Sequence, residues 1–199
     1  MANFLIKNGE LEFEGEYLKG ERNGKGKEYF NGGSVKFEGE YLNGKKWNGK
    51  GFNIDGKLEF EIVNGNGKVK EYESDGKLIF EGEYLKGERN GKGKEYDSYY
   101  DALKFESEYL NGKRNGKGKE YDIYYDLLLF EGEYLNGERW NGKGEEYEYD
   151  SLIFKGEYLN GERWNGYGKE YNEERGTEGG YDEYEYINGE KKLKEYVYE

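Results

Sequence analysis

Rings and charges alternate along this chain in a block that keeps returning. Phe13-Glu14-Gly15-Glu16-Tyr17 reads ring, acid, Gly, acid, ring, and FEGEY recurs at 37–41, 80–84 and 130–134, with FESEY at 105–109 and FKGEY at 154–158. Such alternation predicts a β-strand with one apolar face and one solvated face. Each block runs on through Leu and a Lys-Gly or Asn-Gly pair to NGKG or a near copy, at 23–26, 48–51, 90–93, 115–118, 141–144 and 165–168. Asn-Gly, present at fifteen places, is a strong signal for tight hairpin turns. Two degenerate copies, FEIVNGNGKVKEY at 60–72 and YEYINGEKKLKEY at 184–196, complete about eight hairpin units of 21 to 28 residues.

A pairing register follows on paper. If Leu18 faces Asn23 across a four-residue loop, then Tyr17 faces Gly24, Glu16 faces Lys25, Gly15 faces Gly26 and Glu14 faces Lys27. Rings then lie over glycines on one face, so Gly, which otherwise weakens a strand, acts as a packing residue. The other face sets Glu opposite Lys, each pair worth roughly 0.2–1 kcal/mol. Continued alternation places Glu28 on the ring face opposite Phe13 and turns Tyr29 to the charged face, so a bulge or strand end is expected near Lys27.

One hairpin is marginal in water, so the units are expected to pair side by side. The fold class expected is all-β: a single elongated, twisted antiparallel sheet of tandem hairpins, a solenoid-like ribbon about 75 Å long. Residues 1–171 read as an array of about seven units, 172–180 as a flexible loop, and 181–199 as a degenerate C-terminal capping repeat.

Composition narrows the chemistry. The 199 residues include 34 Gly and 23 Tyr but no His, Cys or Pro, and the net charge is −13. Leu, Ile, Val and Phe make up under a fifth of the chain, a share that at this charge borders on disorder unless Tyr supplies the core. Without His or Cys there is no disulfide, no zinc site of those ligands, no Ser-His-Asp or Cys-His nucleophile and no imidazole base. No apolar run approaches the ~20 residues that cross a bilayer, and the opening MANFLIKNGE lacks a signal-peptide core. A cytoplasmic protein is expected, with cytoskeletal or membrane association left open.

The repeated unit resembles the MORN repeat, a pattern of aromatic, x, Gly, x, aromatic, then a Gly turn and a second Gly-x-Gly strand. Phe13, Gly15, Tyr17, Gly20, Gly24 and Gly26 fit it in order. So do Phe37, Gly39 and Tyr41; Phe80, Gly82 and Tyr84; Phe130, Gly132 and Tyr134; and Phe154, Gly156 and Tyr158. Ser107 in place of a Gly and Ile62 in place of an aromatic depart from it. The resemblance implies a structural or interaction module whose enzymatic neighbours, where present, lie in other domains; a bacterial variant of the repeat occurs in antitoxin-like proteins.

Three tryptophans stand out as candidate partner-binding residues. Trp47, Trp140 and Trp164 enter at one position of their units and are not needed by the repeat, which leaves two readings: a partner hot spot, or a ring folded back over its own hairpin. Gly44–Gly51 and Gly137–Gly144 copy P-loop spacing but lack the Ser/Thr that binds Mg²⁺ and are not followed by a helix pattern. Basic clusters such as Lys45-Lys46 and Arg114 with Lys117 and Lys119 are interleaved with Glu and read as a self-paired face. Paired carboxylates such as Glu14 and Glu16 recur from unit to unit, as a solvated face does and a single catalytic site does not. No metal or cofactor is expected, and no enzyme activity. The function expected is a repeat scaffold or protein-protein interaction module, presenting an aromatic/Gly face and a Glu/Lys face to another protein or to a second copy. Any uncovered ring face would invite burial. A phospholipid adaptor and a toxin-neutralising protein are the alternatives; the acid excess opposes anionic lipid and nucleic acid.

Overall fold

A computed structural model describes residues 3–7, 9–149, 151–172 and 180–194, with side chains from residue 9 onward. All regular structure among the described residues is strand. The segment read as a flexible loop lies outside them over 173–179, as do the last five residues of the capping repeat. The chain divides into two compact units at Lys113/Arg114.

The first unit contains β1 (Asn3–Lys7), β2 (Glu10–Leu18), β3 (Glu21–Tyr29), β4 (Val35–Leu42), β5 (Lys45–Phe52), β6 (Leu58–Ile62), β7 (Gly67–Tyr72), β8 (Leu78–Leu85), β9 (Glu88–Asp97) and β10 (Ala102–Leu110). Neighbours in sequence pair antiparallel through β6, and again from β7. The ladder that the sequence suggests is continuous breaks between β6 and β7, where only the bridge Val63↔Asn66 remains. This is the copy with Ile62 in place of a ring. Side chains still join its two sheets: Phe60, Ile62 and Val69 pack in one cluster with Phe13, Phe37 and Phe80. Phe30 meets Tyr72 edge-on at 5.9 Å, Asn31 N–H donates to Ser74 O at 2.8 Å, and Lys45 pairs with Glu88 at 2.7 Å. The second unit contains β11 (Lys113–Tyr121) from its second residue on, β12 (Leu128–Leu135), β13 (Glu138–Glu148), β14 (Ser151–Leu159), β15 (Glu162–Asn172), β16 (Gly180–Ile187) and β17 (Glu190–Leu193), again an antiparallel meander.

The glycines are the floor under the rings. A Cβ on Gly15 would stand 2.6 Å from Phe13 Cζ and 2.7 Å from Gly26 Cα, and one on Gly132 would stand 2.6 Å from Gly142 Cα. Phe13, Phe37, Phe80, Phe130 and Phe154 are accordingly fully buried, each contributing roughly 1.5–3 kcal/mol by transfer alone. Where Ser107 stands opposite Gly93, Phe105 keeps 6% exposure.

The register near the turns differs from the paper version. In β2–β3, Gly15↔Gly26 and Glu14↔Lys27 pair as expected, but Leu18 faces Glu21 and Tyr17 faces Arg22. The loop is the two-residue turn Lys19-Gly20, at φ 53° and 86°, which matches strand twist and shifts the excess residues into a bulge at Asn23–Lys25. Tyr rings do face Gly, but from the next hairpin: Gly24↔Tyr41 and Gly142↔Tyr158. The bulge expected near Lys27 lies one residue on, between Glu28 and Tyr29, in the pairing with β4.

The Asn-Gly pairs do two jobs, not one. Asn43-Gly44, Asn136-Gly137 and Asn160-Gly161 are left-handed turns, whereas Asn23-Gly24, Asn141-Gly142 and Asn165-Gly166 lie within strands. The strand-borne Asn tethers the next turn: Asn23 Oδ1 accepts from Asn43 N at 3.2 Å, Asn141 Oδ1 from Asn160 N at 3.0 Å, and Asn165 Oδ1 from Asn188 N at 2.9 Å.

Candidate interaction site

The ring face is capped by charge. In the second unit, Arg163 lies 4.8 Å from the Phe154 centroid and donates from Nε to Glu146 Oε1 at 3.1 Å and from Nη2 to Oε2 at 2.7 Å. Tyr158 Oη donates to the same carboxylate at 2.5 Å. Arg163 Nη1 reaches Tyr186 Oη at 3.0 Å, and Arg139 Nη1 reaches Tyr158 Oη at 3.2 Å while its Nε holds Glu120 at 2.9 Å. A continuous polar chain therefore runs Glu120, Arg139, Tyr158, Glu146, Arg163, Tyr186. The first unit repeats the device: Arg89 grips Glu71 with two bonds of 2.8 Å and lies 4.1 Å over Phe80, and Glu28 is held by Arg22 at 2.5 Å and Lys46 at 2.8 Å. The ring face is thus not an apolar patch, because guanidinium planes cover the Phe rings and bring the half-buried acids their counter-charge.

The ionisation follows. Burial alone would raise the carboxyl pKa of Glu28, but Lys46 and Arg22 outweigh it and hold the group below the usual range. Glu71 and Glu146 are likewise lowered against burial by Arg89 and Arg163. Tyr84 and Tyr158 are pushed up by burial and by the carboxylates they bond. A general acid needs a carboxyl held protonated near neutral pH, and these three are held in the opposite state.

The other face is the solvated Glu/Lys ladder. Lys27 pairs with Glu38 at 3.5 Å, Lys143 with Glu157 at 3.3 Å and Lys155 with Glu145 at 2.6 Å. Tyr29 donates to Glu14 at 2.6 Å, and burial together with that bond pushes its hydroxyl up to about 12. Of the basic clusters, Lys45 and Lys46 pair with Glu88 and Glu28, and Lys119 with Glu131 at 3.3 Å.

Trp47, Trp140 and Trp164 lie in β5, β13 and β15, not in loops, and all are half-buried. Trp140 covers Gly161, and Trp164 covers Gly189; each rests on the turn of the next hairpin, where a Cβ would stand 3.6 Å and 3.1 Å from the indole. The P-loop-like segments run through a turn into β5 and β13, with no helix after them.

Two strand-connecting loops carry strongly exposed rings that the sequence alone does not single out. Tyr99 is 79% exposed, Tyr124 64% and Tyr125 68%. Both loops have the form Asp-x-Tyr-Tyr-Asp, and the leading Asp fixes each: Asp97 Oδ1 accepts from Tyr99 N at 2.9 Å and Tyr100 N at 3.1 Å, and Asp122 Oδ1 from Tyr124 N and Tyr125 N at 2.8 Å. The repeated DxYYD spacing was the available signal; Tyr is so common here that it was hidden among core rings.

The family model described as MORN repeat matches residues 13–35, 80–98 and 105–122. No curated protein matches the chain. Each matched segment begins at a core Phe and extends into the strand that carries the Glu paired with Arg or Tyr.

Proposed function

Because this chain is a MORN repeat protein, we propose that it is a non-enzymatic scaffold that presents its open Glu/Lys face and its strand-connecting loops to another protein. MORN repeats are generally found in repeat scaffolds and in membrane- or lipid-associated proteins. The observation that carries the scaffold reading is the use of the ring-face charges: Arg89, Arg139 and Arg163 are consumed by Glu71, Glu120 and Glu146 of the same array. Those cations are structural, so they are not offered to phosphate headgroups. The net charge of −13 further opposes an anionic surface. Flotation with anionic vesicles at low salt, run beside affinity isolation from the native host, tests the reading. A stoichiometric protein partner and no flotation is the expected result; salt-sensitive flotation without a protein partner would replace it with the lipid-adaptor alternative.

A further inference from the structure

The loop at 122–128 concentrates what a docking site uses. Tyr124, Tyr125, Leu127 and Leu128 are exposed by 64, 68, 53 and 45% within five residues. The backbone beneath them is closed: Asp122 N donates to Leu127 O at 2.8 Å and Asp126 N to Asp122 O at 3.1 Å, while Asp122 Oδ1 takes the two Tyr amides. A backbone held this way loses little freedom on binding, and each Tyr adds only two side-chain torsions, the property that makes Tyr an effective anchor. Asp126, left-handed at φ 54°, places an exposed carboxylate beside them.

We propose that this loop docks a basic segment of a partner protein, in which an Arg side chain lies over Tyr125 or Tyr124, pairs with Asp126, and sets apolar neighbours against Leu127 and Leu128. The proposal rests on the scaffold reading and names its surface. Charge complementarity gives the partner's sign: aspartates bracket the rings, and the chain carries −13. The sister loop shows the chemistry within the same molecule, since Lys77 Nζ lies 5.9 Å over the ring of Tyr99, between Asp97 and Asp101.

The test uses the full chain and short fluorescent peptides of alternating Arg and Leu, with matched peptides carrying Glu for Arg or Ser for Leu. The Arg-Leu peptide is expected to bind best. Tyr124→Ser with Tyr125→Ser should weaken it by about tenfold with the melting temperature unchanged. Asp126→Asn, which keeps the left-handed backbone accessible, should weaken it less and flatten its salt dependence. Tyr147→Ser with Tyr167→Ser, at exposed rings of the open face, should leave it unaltered. Equal binding by all variants would reduce the effect to net charge and overturn the proposal. So would equal binding of the Glu peptide, a dimer of the wild type that the Tyr124/Tyr125 variant abolishes, or vesicle binding through these tyrosines. If a native partner is isolated but still binds the Tyr124/Tyr125 variant, this site falls and the scaffold reading stands; if no protein partner exists, the scaffold reading falls as well.

Discussion

Two kinds of hairpin solve the same packing problem with different registers. In β2–β3 and β8–β9, which lack Trp, Phe13 and Phe80 stand opposite Glu28 and Glu95, and Gly15 and Gly82 oppose Gly26 and Gly93. In β4–β5, β12–β13 and β14–β15, which contain it, Phe37, Phe130 and Phe154 stand opposite Gly51, Gly144 and Gly168. The added Trp supplies one residue, and the bulge shrinks from two excess residues to one. Together these shift the register by two, an even number, so every side chain keeps its face. A one-residue slip would have turned the rings into water. Between the regular hairpins the pairing is kept, as in Glu28↔Phe37, Glu71↔Phe80, Glu120↔Phe130 and Glu146↔Phe154, and it changes where a degenerate copy follows, with Phe60 opposite Gly51 and Tyr184 opposite Gly168. Among the regular copies the constant element is therefore the joint between hairpins, and the hairpin itself tolerates variation.

If the joint is the constant element, damage there should outweigh damage in the turns. Phe154→Ala removes a fully buried ring shared by Tyr158 at 5.4 Å, Tyr186 at 5.2 Å and Arg163, and should cost about 3–5 kcal/mol by chemical denaturation. A loss under 1 kcal/mol would mean that the ring face is not the core. The next effect separates the two kinds of hairpin. Glu28 serves two cations, Arg22 and Lys46, whereas the Arg and Lys that pair with Glu146 on the ring face reduce to Arg163. Glu28→Gln should therefore destabilise more than Glu146→Gln, within a range of about 1–3 kcal/mol for partly solvated pairs. The sign in acid follows from the lowered carboxyl pKa values: this stability is present above the unfolded value of 4.5 and is lost as pH falls through the folded ones. Acid-melting curves should accordingly flatten below pH 4.5 in Glu28→Gln relative to the wild type, and identical curves would deny the carboxylate its role.

Much of this is legible in the sequence alone, for reasons that residues make plain. Phe13, Gly15 and Glu14 sort onto two faces because a strand has period two, and the Glu14↔Lys27 and Gly15↔Gly26 pairs follow from alternation alone. The apparent misfit of Glu28 opposite Phe13 was real, and it marked the polar network rather than a strand end. Alternation could not show that Arg22 lies over that ring, because the two-residue turn and its bulge set the pairing there. Nor could Asn-Gly alone separate turn Asn43 from tether Asn23, which differ only in the register each occupies. The exposed pair Tyr124-Tyr125 stayed hidden for a related reason: exposure is decided by whether a strand covers the ring, and a loop Tyr reads the same as a core Tyr.

Deleting Trp140 gives the smallest effect and the sharpest view of the difference between the hairpins. The deletion leaves Glu138-Arg139-Asn141, the Glu-Arg-Asn order of β3 and β9, in which the larger bulge is the stable arrangement. The β12–β13 hairpin should then adopt their register, with Phe130 opposite Glu146 in place of Gly144, while Glu146↔Phe154 to the next hairpin is preserved. Loss of the indole from Gly161 should cost only about 1 kcal/mol, since the ring is half-buried and the turn keeps its tether from Asn141. Cross-strand nuclear Overhauser contacts from the Phe130 amide and Cα protons read the register directly. Contacts that stay at Gly144 would show that the joint between hairpins does not govern the fold, and that each hairpin fixes its own register from its turn.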